Sequence, residues 1–539
     1  MQKQLLLGDE AIAQAAIDAG ISGIFAYPGT PSTEITEYVQ KSKQASGKGI
    51  RSAWSANEKT AMESALGMSY AGKRSMVCMK HVGLNVAADG FINSAITGAN
   101  GGMIVVAADD PSMHSSQNEQ DSRFYGKFAL IPTLEPSNQQ EAYDMVHYGF
   151  DLSEKLGIPV MLRITTRLAH SRSGVIRKEE KSQNELKLPE NLRQFVLLPV
   201  IARKQYKELL AKQSAFENES ENAGFNRYFD ARDKKLGIIA CGIAHNYLME
   251  NYPDRNIPHP VVKVGQYPLP KKMIDKLYES CDELLVLEDG YPIIEELIKG
   301  MLNKGKTIRG RLDGSLPRDG ELNPNIVGKA LGFEFEEGLD IPDFIAPRPP
   351  KLCAGCSHND AFLALNEALS AYSKGRVFSD IGCYTLSALE PLEAINTCVD
   401  MGASITMALG AAEAGLVPAV AAIGDSTFTH SGITGLLDAV NNQAPLTVLI
   451  LDNSTVGMTG GQKSSALGKI EQICQGLGVE EGHIKVLKPL RKHHDENVRA
   501  IREELEYKGV SVIIPRRECI QTLNRRMRAK HKVKTANIS

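Results

Sequence analysis

The chain is short of net charge, of long apolar runs and of paired cysteines, and each lack excludes a class of protein. Over 539 residues the formal charge is only −3, so no global basic field marks nucleic acid as the main partner. No stretch approaches the about 18 uninterrupted apolar residues of a membrane span. The first residues, Met1-Gln2-Lys3-Gln4 and Leu5 to Glu10, lack the long apolar core of a signal peptide. Nine cysteines, an odd number spread over a large chain, do not read as a disulfide framework, and a reducing cytoplasm is the expected setting.

What is present is ordinary for a globular protein: 42% hydrophobic and 23% charged residues. The length exceeds what one core supports, so roughly three or four domains are expected. In the first third, strands at Ile21–Tyr27, Ser75–Lys80, Gly102–Ala107 and Pro159–Ile164 alternate with helical stretches such as Glu141–Leu156. Short apolar runs between helices indicate a parallel sheet covered on both faces, here an α/β domain over residues 1–170. Residues 171–233 are polar and read as a linker with some helix, for example Arg203–Ser214. A smaller α/β unit over 234–345 carries strands at Leu236–Cys241 and Glu283–Leu287 and a helix at Pro292–Leu302. Four prolines between Pro342 and Pro350 mark a boundary. A last α/β unit, 351–515, has strands at Val377–Ile381, Ala419–Ile423, Leu446–Leu451 and Val510–Ile514. A basic tail, 516–539, follows and includes Arg516, Arg517, Arg525, Arg526, Arg528, Lys530, Lys532 and Lys534.

The chemistry concentrates where Ala419–Ile423 runs into Gly424-Asp425-Ser426-Thr427. A helix over Ser431–Asn442 follows, and then Leu446–Leu451 runs into Asp452-Asn453-Ser454-Thr455. This strand–helix–strand crossover puts the carboxyl ends of two parallel strands at one sheet edge, where open α/β folds bind ligands. Asp425 and Asn453 bring a carboxylate and an amide oxygen together there. That suits Mg²⁺, which takes few protein oxygens and completes its octahedron with phosphate and water. Gly424 allows close backbone approach, and the amides of the following turn can meet a diphosphate. Taken alone, Gly-Asp and Asp-Asn are also ordinary turn residues after strands. Cys353 and Cys356 form a single CxxC, which supplies two of the about four ligands a closed metal site needs. Ser357 separates Cys356 from His358, so no haem-attachment motif is present.

The crossover resembles the magnesium–diphosphate motif of thiamine diphosphate enzymes, with Ser426 in place of the usual final glycine. Longer blocks resemble one branch: Tyr27-Pro-Gly-Thr-Pro-Ser32, Trp54-Ser-Ala-Asn-Glu-Lys59, Met79-Lys-His-Val-Gly-Leu-Asn85 and the segment His114–Arg123. Cys353-Ala-Gly-Cys356, Asp380-Ile-Gly-Cys-Tyr384 and Met401-Gly-Ala-Ser404 complete the set. These blocks are similar to the thiamine-binding subunits of the indolepyruvate ferredoxin oxidoreductases, within the 2-oxoacid:ferredoxin oxidoreductases. The resemblance runs from about residue 5 to 515. It implies two doubly wound thiamine-diphosphate-binding domains, one for the pyrimidine and one for the diphosphate. They flank a smaller α/β domain like the C-terminal domain of transketolase.

The resemblance also assigns roles. Glu58 is expected at the aminopyrimidine ring, sharing a proton with a ring nitrogen; read alone, it is an exposed first-turn glutamate. Thr30 is placed near the 2-oxo acid, although Thr30 or Ser32 also suits a helix cap. His81 and Asn85 follow a strand end and face the substrate, where a lone histidine is otherwise commonly structural. Arg123 offers a bidentate fork to the substrate carboxylate, or else one arm of an ion pair. Cys356, His358, Gly382, Cys383 and Tyr384 are expected against the cofactor, with Gly424, Asp425, Ser426, Thr427, Asn453 and Thr455. Asp425, Asn453 and Thr455 are the expected Mg²⁺ ligands.

Relatives of this kind continue past Ser511–Pro515 into a ferredoxin-like module with eight clustered cysteines, whereas only Cys519 lies beyond that strand here. The expectation is therefore no iron–sulfur cluster in this chain and a separate iron–sulfur or ferredoxin protein as electron partner. The basic tail either docks that partner or is a solvated terminus. Further expectations are a 2-oxo acid and coenzyme A as substrates, a smaller oxidoreductase subunit, and a dimer of heterodimers. The implied reaction is oxidative decarboxylation of an aryl 2-oxo acid to an acyl-CoA. The alternatives are a non-oxidative thiamine decarboxylase or carboligase, and a cofactor-free scaffold subunit.

Overall fold

In the strand Ser75–Lys80, Met76 and Cys78 join one apolar cluster while Val77 and Met79 join another. Successive strand residues face opposite sides of a sheet, so both faces of this strand are buried. The strand Met103–Asp109 divides in the same way, with Ile104, Val106 and Ala108 on one side and Met103, Val105 and Ala107 on the other. This is the pattern of a parallel sheet between helical layers.

The computed structural model describes residues 3–191, 193–301, 305–335, 342–346 and 350–536, with side chains as far as residue 529. Residue Leu302 of the expected helix, 347–349 of the proline-rich boundary, 537–539 of the basic tail, and the side chains of Lys530, Lys532 and Lys534 lie outside that description. The chain divides into two units, Met1–Leu339 and Asp340–Ser539.

The first unit begins with β1 (Lys3–Leu7), β2 (Gly23–Ala26), β3 (Arg51–Trp54), β4 (Ser75–Lys80) and β5 (Met103–Asp109). Then come β6 (Thr133–Leu134), β7 (Val160–Thr165), β8 (Arg172–Ile176), β9 (Arg227–Phe229) and β10 (Leu236–Cys241). It ends with β11 (Val261–Val264), β12 (Gln266–Tyr267), β13 (Glu283–Leu287) and β14 (Ile308–Arg309). The larger sheet has the order β12-β6-β7-β5-β4-β2-β3. It is parallel except for β12, which pairs antiparallel to β6. The smaller sheet, β14-β13-β10-β11-β9, is parallel except for β9. Within the span read as a linker, β8 pairs with β1, β9 edges the smaller sheet, and helices form at Pro199–Ala211 and Gln213–Asn222.

The helix Gln139–Leu156 shows why local chemistry sets its limits. The Asn138 side chain accepts from the Glu141 amide at 3.0 Å, and Gly157 closes the helix at φ 59°, the left-handed cap for which glycine is suited. Ala142, Tyr143, Val146 and Phe150 recur at helical spacing and are all fully buried, which gives the helix its core face.

Two arginines join the sheets of the first unit. Arg163 of β7 is fully enclosed; its Nε donates to Asp109 at 2.7 Å and its Nη2 to the Asp289 carbonyl at 2.7 Å. Its Nη1 donates to Glu135. Arg123 donates from Nε to Asp121 at 2.9 Å, from Nη1 to Glu288 at 2.9 Å and from Nη2 to the Tyr291 carbonyl at 2.8 Å. Burial raises Glu288 to about 7 despite Arg123. In Asp121 burial is outweighed by the two guanidiniums, which hold the carboxyl down to about 2.

The second unit carries β15 (Val377–Ser379), β16 (Ala419–Gly424), β17 (Leu446–Leu451) and the two-residue ribbon β18 (Thr455–Val456) and β19 (Gln462–Lys463). β20 (Ile484–Leu487) and β21 (Val510–Pro515) follow. Its sheet is wholly parallel in the order β15-β16-β17-β21-β20. The tail enters the fold at its start: Arg516 pairs with Asp452 at 2.6 Å and with Glu471 at 2.7 Å, and Arg517 pairs with Asp360 at 3.1 Å. The helix Ile520–Ala536 continues from there. No described helix is long and apolar enough to cross a membrane.

Two outcomes follow from this packing. Arg163→Met leaves Asp109 and Glu135 buried and uncompensated, an expected loss of roughly 3–5 kcal/mol, read as a lower thermal midpoint. A Cβ at Gly424 would stand 2.7 Å from Tyr384 Cε1, so Gly424→Ala overpacks that contact at about 1–3 kcal/mol; an unchanged midpoint would show that the ring yields freely.

Candidate functional site

In the first unit, the loop after β2 carries Thr30, the helix after β3 begins with Glu58, and the helix that follows β4 directly carries His81 and Asn85. The loop Tyr27–Ser32 is tied to the next helix, Thr33–Lys41, because the Gly29 amide donates to Thr33 Oγ1 at 3.0 Å. Ser32 does not cap that helix with its side chain; its hydroxyl turns back and donates to the Gly29 carbonyl at 2.9 Å. Thr30 is half-buried in this loop.

Glu58 opens the helix Glu58–Tyr70, which Asn57 caps by accepting from the Thr60 amide at 2.9 Å. Its side chain turns inward and the residue is only 5% exposed. A Cβ on Gly83 would meet Glu58 Oε1 at 2.5 Å, so Gly83 is what lets this carboxyl lie against the helix His81–Thr97. The exposed first-turn alternative is thereby corrected. His81 starts that helix and is buried, with Nε2 3.3 Å from the Asn118 carbonyl and no hydrogen-bond partner at Nδ1. Burial lowers its pKa against the pull of Asp109, which favours a neutral ring. Asn85 is exposed, and its Oδ1 accepts from the Tyr125 hydroxyl at 2.5 Å.

Arg123 is not with them. It is 2% exposed, and its donors are committed to Asp121, Glu288 and the Tyr291 carbonyl. The substrate-carboxylate role expected for it is corrected: a guanidinium enclosed among buried carboxylates is a tie between sheets. The ion-pair alternative describes it, though in the interior rather than at the surface. Sequence reasoning passed over the neighbouring cation, Lys80. It is buried at the end of β4, and burial, partly offset by Asp110, lowers its pKa to about 8. Its Nζ donates to the Ser115 carbonyl at 2.5 Å, and a Cβ on Gly29 would lie 3.3 Å from Lys80 Cβ, which sets it beside the Thr30 loop.

The second unit brings the remaining candidates together at the carboxyl ends of β16 and β17. Asp425 is buried; its Oδ1 accepts from the Ser426 amide at 2.8 Å, while Oδ2 has no hydrogen-bond partner. Burial, and then the nearby Asp452, raise this carboxyl to about 7. An enclosed carboxylate oxygen without a donor is costly unless a cation or proton meets it. Asn453 Oδ1 accepts from the Thr455 amide at 3.0 Å, and its Nδ2 faces His358 Nε2 at 3.4 Å. Burial lowers His358 to about 4, so its ring is neutral and able to accept from that amide. Thr455 Oγ1 lies 3.4 Å from the Thr522 hydroxyl.

Tyr384 floors the site. Its hydroxyl donates to Asp380, which also accepts from Ser404 Oγ at 2.6 Å and the Gly402 amide at 3.1 Å. The Tyr384 ring lies edge-on to His358 at 6.1 Å and against Gly424. Thr427 Oγ1 donates to the Ile381 carbonyl at 3.1 Å, and the Gly382 amide donates to Thr385 at 3.1 Å. Ser426 is buried in the first turn after β16.

Four thiols also gather here. Burial raises Cys383 to about 12, and Cys356, Cys519 and Cys353 all lie near enough to add to it by repulsion. The Cys519 amide donates to the Asn453 carbonyl at 3.1 Å, and Cys353 Sγ accepts from Gln521 at 3.3 Å. The sequence shows one CxxC, Cys383 within the Asp380–Tyr384 block, and Cys519 alone beyond the last strand. The signal that would have joined them is that Cys383 and Cys519 each follow a strand of one parallel sheet, beside the loop that carries the pair.

Two family models match the chain. One is described as pyruvate flavodoxin/ferredoxin oxidoreductase, thiamine diphosphate-binding, and covers residues 14–215; the other is thiamine pyrophosphate enzyme, C-terminal TPP binding domain, and covers 380–514. The indolepyruvate oxidoreductase subunit IorA of Archaeoglobus fulgidus is 40% identical over 569 aligned positions, covering 100% of this chain and 90% of that protein. The subunit of the same name from Pyrococcus abyssi is 38% identical, covering 96% and 86%. Among solved structures, the 2-oxoglutarate:ferredoxin oxidoreductase of Magnetococcus marinus shares the fold at a TM-score of 0.51 and 16% identity, over 61% of this chain and 65% of that one. The chain therefore belongs to the IorA family of indolepyruvate oxidoreductase subunits, thiamine diphosphate-binding members of the 2-oxoacid:ferredoxin oxidoreductases.

Proposed function

We propose that the chain catalyses oxidative decarboxylation of an aryl 2-oxo acid to its acyl-CoA, with Mg²⁺ and the cofactor diphosphate held by Asp425, Asn453 and Thr455. The observation that carries the ion site is the buried, unpartnered Oδ2 of Asp425 just after β16, next to the strand β17 that leads into Asn453. Ser426 and Thr427 open the following helix, where backbone amides suit a diphosphate. When bound, thiamine diphosphate supplies the carbanion chemistry that decarboxylates the 2-oxo acid. Glu58 holds a proton at a pyrimidine nitrogen, and its enclosed position keeps that carboxyl from water. Tyr384 and His358 shape the wall below the diphosphate end. His81, as a neutral ring, Asn85 and Thr30 orient the 2-oxo acid, and Lys80 takes the carboxylate in place of Arg123. Overall, a 2-oxo acid anion and coenzyme A give an acyl-CoA, carbon dioxide, a proton and two electrons. Relatives named as subunits support a smaller partner subunit and assembly as a hetero-oligomer, with ferredoxin as the electron acceptor.

A second reading concerns the route of those electrons. Four thiols from three segments gather beside the diphosphate site: Cys353 with Cys356, and Cys519, lie near enough to Cys383 to repel its thiolate, and the Cys519 amide donates to the Asn453 carbonyl at 3.1 Å. Iron–sulfur clusters are held by about four cysteine thiolates. Cys353, Cys356, Cys383 and Cys519 thus suit a cluster that would accept electrons within this chain, in addition to any partner.

Asp425→Asn should abolish Mg²⁺-dependent retention of thiamine diphosphate, measured by equilibrium dialysis; equal retention would remove the ion assignment. Dye reduction by indolepyruvate that requires coenzyme A supports the oxidative reaction, while aldehyde release without it supports a decarboxylase. Lys80→Met should raise KM for the 2-oxo acid at least tenfold, with a smaller change in kcat. Anaerobically purified chain should carry iron and acid-labile sulfide that Cys519→Ser diminishes, and iron-free protein with unaltered dye reduction would exclude the cluster.

A further inference from the structure

We propose that Asp9, Glu34 and His170 form a divalent-cation site in the first unit that clamps three helix ends beside the loop carrying Thr30. Asp9 is the second residue of the helix Gly8–Asp18, Glu34 the second of Thr33–Lys41, and His170 the last of Thr166–His170. One ligand atom from each lies within 4.8 Å of the other two. These residues are far apart in sequence and meet only through the fold.

The second observation is the state of Asp9. It is 0% exposed, and neither of its carboxylate oxygens has a hydrogen-bond partner. The Leu7 amide at the start of the helix that carries Asp9 is taken by Glu10 at 2.9 Å. Glu34 Oε2 also lacks a hydrogen bond, and His170 Nε2 stands 3.7 Å from it. Burial, then Glu34 and Glu10, raise the Asp9 carboxyl well above its ordinary range. Contact with His170, stronger than the opposing burial, lowers Glu34. The Cys78 thiol of β4 is a further titratable neighbour, pushed up by burial and by Asp9, and Arg172 stands 3.7 Å from Glu10. Asp9 is enclosed while the Glu34 side chain is 40% exposed, so the acidic, donor-poor floor of the site opens to solvent on one side, and a buried carboxylate without a donor is where a cation gains most.

Two carboxylates and an imidazole suit Mn²⁺, a hard ion that also takes imidazole, or the borderline Zn²⁺ better than Ca²⁺ or Mg²⁺, which favour oxygen alone. The His170 side chain, about a third exposed at 36%, leaves an entry path and a face for water ligands. Glu34 follows Thr33, whose hydroxyl accepts from the Gly29 amide, so an ion here would fix the base of the loop that carries Thr30.

The rival is a proton shared between Asp9 and Glu34. Mn²⁺ separates the two and, being hard, avoids the thiols of the second unit. The full chain is stripped with chelator and assayed without thiamine diphosphate in an Asp425→Ala background, which removes the diphosphate-site ligand. Titration followed by Mn²⁺ EPR should show one ion per chain. Asp9→Asn and, at a partly exposed position that leaves the core intact, His170→Ala should each weaken it at least tenfold. Absence of bound Mn²⁺ in the parent, or equal binding in folded His170→Ala, would overturn the site and leave the shared proton.

Discussion

Burying a guanidinium is tolerable only when carboxylates meet it; the first unit also buries Arg74 and Arg311 in this way, and at Arg123 and Arg163 it joins its two sheets by it. The consequences reach the site. Asp109 ends β5 and accepts both from Arg163 and from the Ser122 amide at 3.0 Å, so the segment after β5 is tied at its far end to the charge cluster. That segment supplies the Asn118 carbonyl that faces His81 and the Ser115 carbonyl that receives Lys80. Glu288 and the Asp289 carbonyl come from the smaller sheet. The ionic core therefore sets two sheets and the loop beside Lys80 and His81 against each other, which apolar packing would do with less directional precision.

The second unit solves a different problem: holding a carboxylate away from water without neutralising it beforehand. Asp452 is satisfied by Arg516, whereas Asp425 beside it keeps one oxygen free. The neutral His358 ring faces the Asn453 amide, and Tyr384, fixed by Asp380, fills the space that Gly424 leaves open. Residues after the last strand complete this arrangement, since Arg516 orders the Asp452 turn and the Cys519 amide holds the Asn453 carbonyl. A stretch that looks like a solvated basic end by composition begins as part of the site.

Much of this was legible along the chain. Buried parallel strands such as Ser75–Lys80, Leu236–Cys241 and Leu446–Leu451 are continuous apolar runs, and their limits agree with the fold to the residue. The crossover from Asp425 to Asn453 follows from a local strand–helix–strand order, and the motif blocks carried the family. Strands of two residues, such as β6, β12 and β14, have too little sequence to show a period, and β1 and β8 need each other to exist as a ribbon.

Residue type and spacing were enough for the α/β class and the Gly424–Thr427 and Asp452–Thr455 turns, because those depend on contacts near in sequence, and resemblance of the motif blocks supplied the thiamine diphosphate family. Folding alone enclosed Glu58 against Gly83, committed Arg123 to Glu288, lowered Lys80, gathered Cys519 with Cys353, Cys356 and Cys383, and set Asp9 against Glu34 and His170. Each of these depends on burial or on charges from distant segments, and both quantities are properties of the packed chain rather than of any stretch within it.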